Sequence, residues 1–288
     1  MGQGASAQRL RIGADLRRLR ELTGLSGEQV ARALGWSQPK VSRIEIGRTS
    51  FTVKDVAALL TYYGVAEDVR AELLAATAED TGEGAWIIRA GGWARRQQSI
   101  ASLEAVTQGI RQFQPVVVPG LLQTRQYAHG VAAAAGVADP EATADARLRR
   151  QEVLSGPDAP TFDVVLDARA LLFRTGSPED AHAQVLSVVE RAGRPGVTVR
   201  VIPLGAQYPV VAAMGFTIYD FRAAESPRVV WIEPPTGDVY FSDHEDVERY
   251  VQLFEQLKGV ALDPRPSIEY LMSFADDVER HARNSPRR

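Results

Sequence analysis

The sequence from residue 25 to residue 47 reads Leu-Ser-Gly-Glu-Gln-Val-Ala-Arg-Ala-Leu-Gly-Trp-Ser-Gln-Pro-Lys-Val-Ser-Arg-Ile-Glu-Ile-Gly. Two short amphipathic patterns are joined here by a turn at Gly35, and the second opens with Ser37 and Gln38. This order is typical of a helix-turn-helix that reads the major groove of DNA. An ordinary helical hairpin is the alternative, but the combined spacing of small, apolar and polar positions favours DNA binding.

Capping patterns around this stretch predict a small all-α domain of five helices over residues 8–79. Capping boxes at Ser26 and Thr52 start the second and fourth helices. Ser37 caps the third helix, and a proline falls in its first turn, where a missing N–H costs little.

The third helix carries the side chains expected to touch DNA, because the N-terminal residues of this helix meet base edges in such motifs. The Gln38 amide can bond an adenine edge in a bidentate manner, and Arg43 can reach guanine or a phosphate. Lys40 and Arg48 are placed for phosphates, and Ser42 can serve either surface. The predicted DNA-binding residues are Ser37, Gln38, Lys40, Ser42, Arg43 and Arg48.

The distribution of charge agrees with this assignment. Residues 1–54 carry 10 Lys/Arg against 4 Asp/Glu, whereas the rest of the chain carries 23 against 32. A basic N-terminal end on an acidic body directs one end of the protein toward phosphate and keeps the rest from lying on DNA.

The pattern changes after a predicted linker at residues 80–93. Residues 94–281 are predicted to form an α+β domain with a mixed sheet, which binds an effector or partner and supplies dimerisation. A helix is expected over residues 94–113, a parallel strand–helix–strand unit over 162–203 and short antiparallel strands after it. Residues 282–288 are expected to be a frayed tail, and the whole chain is therefore predicted to be multidomain.

Neither domain shows a catalytic constellation, so we predict a protein that is not an enzyme, with no catalytic residues, no metal site and no cofactor. The chain has no cysteine, which excludes disulfides and thiolate chemistry. Asp163 and Asp167 share a strand face, but strand-end aspartates are usually turn residues. His244 and Glu248 have helical spacing for a metal, but an acidic helix N-terminus explains them better.

Three further features bear on ligands and location. The arginines at positions 147, 149 and 150 form either a solvated helix face or a site for an anion. The N-terminus lacks the apolar region of a signal peptide, and no run of residues is apolar enough to cross a membrane. A cytoplasmic protein without membrane contact is expected.

Residues 9–78 resemble the lambda-repressor-like (XRE) family of regulators. The resemblance implies a domain that binds double-stranded DNA as a homodimer. It also implies an internal ion pair between Arg20 and Glu45, for which two solvated surface charges are the alternative. Gly27 stands where the family commonly has glutamine, so one phosphate contact is lost, although the helix N-terminus can still attract phosphate.

Residues 9–275 also resemble the WhiJ-like regulators of actinomycetes. The resemblance rests on Phe-Gln-Pro-Val-Val-Val-Pro-Gly-Leu-Leu-Gln-Thr at 113–124 and on the strand sequences at 165–171, 197–203 and 229–233. It implies a transcription regulator that is often encoded beside a small BldB-like protein, the pair being described as antitoxin-like. Asp167 stands where this family often has glutamate.

Three hypotheses follow for the function. The first is a sequence-specific, DNA-binding transcription regulator whose C-terminal domain senses a small-molecule effector or a small protein partner. The second is an antitoxin-like protein that neutralises a neighbour-encoded partner and regulates its own gene. The third, an enzyme fused to a DNA-binding head, requires a deep pocket of convergent polar groups.

Overall fold

The N-terminal part of the chain is built from five short helices. The computed structural model describes residues 7–78, 85–88, 93–222, 228–234 and 237–284. The five helices are α1 (Ala7–Leu22), α2 (Gly27–Leu34), α3 (Gln38–Glu45), α4 (Val53–Tyr63) and α5 (Glu67–Ala78). The five-helix prediction is therefore confirmed, with boundaries within a residue or two.

The caps form where the sequence predicted them. The Ser26 hydroxyl accepts from the Gln29 N–H, and the Gln29 side chain accepts from the Ser26 N–H. Thr52 and Asp55 make the same reciprocal pair at the start of α4. Each pair satisfies N–H groups that a helix N-terminus leaves without partners, which fixes where these helices begin.

A shared apolar core holds the five helices together. Side chains from four of the helices are fully buried within it, among them Ile12, Leu16, Val30, Val41, Ile44, Val56 and Leu59. Burying a side chain of this size contributes about 1.5–3 kcal/mol. The core therefore supplies the stability that helices of 8 to 16 residues lack on their own.

The rest of the chain alternates helices with the strands of one sheet. The elements are β1 (Ala85–Ile88), α6 (Trp93–Ala105), β2 (Thr107–Gln114), α7 (Arg125–Ala134), α8 (Pro140–Arg150), β3 (Thr161–Asp167), α9 (Pro178–Ala192), β4 (Val197–Ile202), β5 (Phe216–Phe221), β6 (Val229–Ile232), β7 (Asp238–Phe241), α10 (His244–Val260) and α11 (Pro264–Asn284). Short 3-10 turns occur at 120–122, 151–154 and 168–172.

The sheet is mixed, as predicted. Its strand order is β1-β7-β6-β5-β2-β3-β4. Strand β3 pairs in parallel with both β2 and β4, and Asp167 at the end of β3 lies opposite Ile202. Strand β1 pairs antiparallel with β7. The fold is thus a helical helix-turn-helix domain followed by an α+β domain.

The contacts divide the chain into two compact units. One comprises residues 1–107, 220–229 and 234–247, and the other comprises 108–219, 230–233 and 248–288. The first unit extends beyond the five helices because α1 also bonds to α6. Arg11 donates to the Ser99 hydroxyl at 3.2 Å, and Arg18 donates to the Ser102 hydroxyl at 3.1 Å.

Three segments differ from the expectations. The helix expected over 94–113 ends at Ala105, and Thr107–Gln114 forms β2, because pairing with β3 satisfies its backbone. Within the predicted linker, 85–88 form β1, while 80–84 and 89–92 lie outside the described residues. In the tail expected to fray, α11 continues to Asn284, and 285–288 are outside the description.

None of the described helices is long and apolar enough to cross a membrane.

Candidate DNA-binding surface

The turn between α2 and α3 sets the angle at which α3 is presented. Gly35 ends α2 with φ 66°, a left-handed conformation that favours glycine, and its N–H bonds back to the helix carbonyls. The Ser37 hydroxyl then accepts the Lys40 N–H at 3.3 Å and caps α3. The Ser37 side chain therefore has a structural task at the start of the helix.

One face of α3 is buried and the other is open. Val41 and Ile44 are fully buried against the helical core. On the opposite side Gln38 and Arg43 are exposed, Ser42 is half-buried, and Arg48 after the helix is exposed. The exposed side chains are the ones predicted to meet DNA.

Two exposed groups can form base contacts. Gln38 is the first residue of α3, so its amide lies at the end of the helix that enters a groove in this class of motif. Arg43 donates through Nε to the Pro39 carbonyl at 3.2 Å, which orients the guanidinium along the helix. Its remaining N–H groups match the acceptor pair of guanine or the oxygens of a phosphate.

Gly27 leaves an open space beside Gln38. A Cβ atom placed on Gly27 would lie 4.0 Å from the Gln38 Nε2 atom and 4.0 Å from Val41. These are ordinary contact distances, so a side chain fits at this position without displacing its neighbours.

We therefore expect Gly27→Gln to strengthen binding to DNA. One added hydrogen bond of about 0.5–1.5 kcal/mol corresponds to a gain of roughly two- to tenfold. Fluorescence anisotropy on an operator duplex measures the gain. Gly27→Ala, which adds only helix propensity, is the control, and an equal gain in both variants would rule out a new contact.

The Lys40 side chain is partly exposed, and it also contacts two residues of its own domain. Its Nζ atom lies 2.7 Å from Asp55 Oδ1 and 3.8 Å from the centre of the Trp36 ring. Burial raises the pKa of Asp55, hydrogen bonds from Lys40 and Thr52 lower it, and the net pKa shift is downward. Nothing in the local sequence pattern predicts this ion pair between α3 and the start of α4, because the two residues are 15 positions apart.

A pair of substitutions separates the two tasks of Lys40. Lys40 and Arg48 are each predicted to neutralise one phosphate. If both do so, Lys40→Gln and Arg48→Gln will each reduce the slope of log affinity against log salt concentration by about 0.9. Only Lys40→Gln should also lower the thermal stability, because only Lys40 has the Asp55 partner. An unchanged slope for Lys40→Gln would restrict this residue to a structural role.

The predicted ion pair holds α3 to α1. Arg20 donates through Nε and Nη2 to the two carboxylate oxygens of Glu45, at 2.7 and 2.9 Å. A third bond, from Nη1 to the Leu25 carbonyl at 2.8 Å, reaches the segment before α2. The side chains of Arg20 and Glu45 are only 12% and 7% exposed, so the two are not solvated surface charges.

A close backbone approach reinforces the same junction. A Cβ atom on Gly13 would lie 2.5 Å from the Ile44 carbonyl oxygen and 2.8 Å from that of Glu45. Glycine at this position therefore allows α1 to touch the end of α3 directly. The orientation of α3 is fixed by this contact together with the ion pair.

The carboxylates considered for chemistry in the second domain lie in separate ion pairs. Asp163 lies 2.7 Å from Arg200 and 3.7 Å from Lys258. Asp167 is bound instead by Arg169 and Tyr208. The two aspartates are thus not brought together as an acid–base pair.

His244 stands at the start of a capped helix. The Asp243 carboxylate accepts the N–H groups of Glu245 and Asp246 at 2.9 and 3.4 Å, in the manner of an N-cap. Across the described parts of the chain, no three His, Cys, Asp or Glu side chains are grouped for a metal ion.

The arginines of α8 differ from both expectations. Arg147 and Arg150 are buried, and only Arg149 is exposed. Arg147 donates to the Gln123 side chain at 2.8 Å, and the adjacent Gln151 donates to the Gln123 carbonyl. Arg147 thus holds the segment before α7 in place, and the three arginines form neither a solvated face nor an open anion site.

Two parts of the chain match known protein families. Residues 11–73 match the family described as a helix-turn-helix domain, and residues 97–273 match the family described as a domain of unknown function (DUF5753). No curated protein shows significant similarity to the chain.

One solved structure found as similar is "TrmBL2, an archaeal chromatin protein", whose title reports "a novel mode of DNA binding". The identity is 12%, the TM-score is 0.34, and the match covers 73% of this chain and 66% of that chain. The chain thus spans slightly less than two thirds of that protein, and a likeness at this level supports no inference.

The two family matches fall on different parts of the chain. The first falls on α1 to α5, so the N-terminal part is a helix-turn-helix DNA-binding domain. The second begins within α6 and ends within α11, and it covers more than half of the chain. The chain therefore belongs to the DUF5753 family.

Proposed function

We propose that this protein is a sequence-specific transcription regulator, that it binds its operator as a homodimer, and that its C-terminal domain senses an effector. The exposed face of α3 carries the proposal, with Gln38 and Arg43 on it and the buried Val41 and Ile44 behind it. The charge difference between residues 1–54 and the rest of the chain supports the same orientation on DNA.

Recognition is assigned to the side chains predicted from the sequence. In this proposal Gln38 and Arg43 read bases, Arg48 and Lys40 contact phosphates, and Ser42 lies at the boundary. Ser37 contributes by capping the helix, and its backbone lies beside the groove. We place the protein in the cytoplasm, within the WhiJ-like, XRE-type regulators that the sequence resembles.

Binding to the DNA upstream of its own gene tests this proposal. We expect the full chain to shift that duplex as a dimer, with an affinity that falls steeply as salt rises. Sedimentation of the complex gives the stoichiometry. Binding of equal strength to a scrambled duplex of the same composition would contradict sequence-specific regulation.

The antitoxin-like alternative requires a protein partner. It requires a small BldB-like protein encoded nearby to form a stable complex with this chain. Coexpression of the two genes followed by purification on one tag tests it. A stoichiometric complex that removes the toxicity of the small protein favours the alternative, and no complex leaves regulation by an effector as the proposal.

A further inference from the structure

A cavity lies at the carboxyl ends of two parallel strands in the second unit. Strand β3 ends at Asp167 and β4 ends at Ile202, and the two residues are neighbours in the sheet. The cavity has a volume of about 440 Å³ and is lined by Asp167, Arg169 and residues of the segment 203–213. In open parallel sheets, ligands bind outside the carboxyl ends of the strands, and cavities of this size hold small molecules.

The polar end of the cavity is organised around Asp167, which is buried. Its carboxylate accepts from the Arg169 backbone N–H at 2.7 Å and from Arg169 Nε and Nη2 at 2.9 and 2.7 Å. The Tyr208 hydroxyl donates to the same carboxylate. Each carboxylate oxygen of Asp167 therefore already accepts two hydrogen bonds, and the role of Asp167 is to orient Arg169.

Arg169 keeps donors that the protein does not use. Its side chain is 58% exposed, and its bonds within the described residues go only to Asp167 and Tyr208. A guanidinium carries five N–H donors in a rigid plane. The Nη1 group is thus available to an acceptor that enters the cavity. The bidentate bond from Nε and Nη2 to Asp167 fixes the orientation of the guanidinium.

The walls of the cavity carry apolar side chains that are exposed to solvent. Leu204 is 50% exposed and Val211 is 93% exposed, and Val210 lies beside them. The wall belongs to a segment of 13 residues between β4 and β5, 203–215, that contains neither helix nor strand. Connections of this length without secondary structure are uncommon in compact domains, and binding loops are one class of them. A hydrocarbon surface placed against these side chains would remove them from water.

The charges that line the cavity limit the charge of a ligand that can bind there. Asp167 and Arg169 are the charged residues that line the cavity, so its lining is neutral overall. A multiply charged phosphate would have only one cation to meet it, and that cation is already paired. A group with one negative charge matches the single Nη1 group of Arg169 that remains available.

We propose that this cavity binds a small monocarboxylate with an apolar body, its carboxylate on Arg169 and its hydrocarbon against Leu204, Val210 and Val211. This assignment rests on the proposed function in one respect only, since it gives a chemical class to the effector. The binding itself requires no DNA.

Calorimetric titration of the full chain without DNA tests the site. The ligands are octanoate and phenylacetate, with octanamide and phenylacetamide as neutral matches and octyl phosphate as the dianionic match. We expect the carboxylates to bind more tightly than the amides and the phosphate. Arg169→Gln should weaken carboxylate binding roughly tenfold to a hundredfold, as for a lost hydrogen bond between charged groups.

Arg194→Gln is the matched control, because Arg194 is 44% exposed, pairs with one carboxylate at 2.9 Å and does not line the cavity. If Arg169→Gln does not fold, Val211→Asp replaces it, since this highly exposed position tolerates a charge and the new carboxylate repels the ligand. Circular dichroism confirms that each variant is folded.

Three results would overturn the proposal: neither carboxylate binds, the amides bind as well as the carboxylates, or the cavity variants bind like the wild type. Tighter binding of octyl phosphate would also exclude a monocarboxylate site. The operator shift is a separate measurement. A chain that shifts its operator but binds no carboxylate refutes this site alone, and a chain that binds carboxylates but no DNA refutes the proposed function alone.

Discussion

Replacing both Gln38 and Arg43 by alanine will remove the sequence preference of this protein while leaving its general attraction to DNA. Each side chain is exposed on α3, and each well-placed base contact contributes about 1–3 kcal/mol of discrimination. Phosphate contacts carry no sequence information, so the remaining affinity is that for any duplex. Competition between operator and scrambled duplex in a gel-shift assay measures the ratio of the two affinities.

A matched exposed arginine controls for the loss of charge. Arg32 lies on α2, is 77% exposed, and pairs with Glu28 at 3.1 Å. We expect Arg32→Ala to lower both affinities slightly and to leave their ratio unchanged. If the double alanine variant keeps the wild-type ratio, Gln38 and Arg43 do not read the sequence, and the assignment of the site is wrong.

Glu45→Ala will destabilise the helix-turn-helix domain severely. The substitution leaves the Arg20 guanidinium, which is 12% exposed, without its bidentate partner. Removing one member of a fully buried ion pair costs about 3–5 kcal/mol, so losing this partly buried pair removes a sizeable share of the roughly 5–15 kcal/mol by which whole domains are stable. Hydrogen exchange of peptides from residues 7–64 measures the local loss, which a global melting curve of a multidomain chain does not resolve.

The double variant Arg20→Met/Glu45→Leu distinguishes charge from packing. Well-packed apolar residues often replace a buried ion pair at little cost or with a gain. We expect the double variant to exchange far more slowly than Glu45→Ala. Exchange in Glu45→Ala at the wild-type rate would show that the ion pair does not hold α3 in place.

Local chemistry made the helix-turn-helix predictable. The reciprocal pairs at Ser26 and Thr52 and the turn at Gly35 depend on neighbours within four residues, so the sequence alone determines them. The resemblance to known regulators added the pair of Arg20 with Glu45, which no periodicity indicates.

Contacts distant in sequence account for what was missed. Residues 107–114 lie in the sheet because β3 pairs with them, and the preceding helical pattern does not indicate where α6 ends. The cavity depends on Tyr208 reaching Asp167 across 41 positions. Lys40 was assigned to phosphate without its bond to Asp55 for the same reason.

Selection from a randomised duplex library tests the central claim most directly. We predict that the purified full chain enriches one pseudo-palindrome, with half-sites whose centres lie about 10–10.5 base pairs apart or a multiple of this. The Gln38→Ala/Arg43→Ala variant should enrich nothing beyond the starting pool. Enrichment of no sequence by the wild-type chain, or of the same sequence by the variant, would contradict DNA reading by α3.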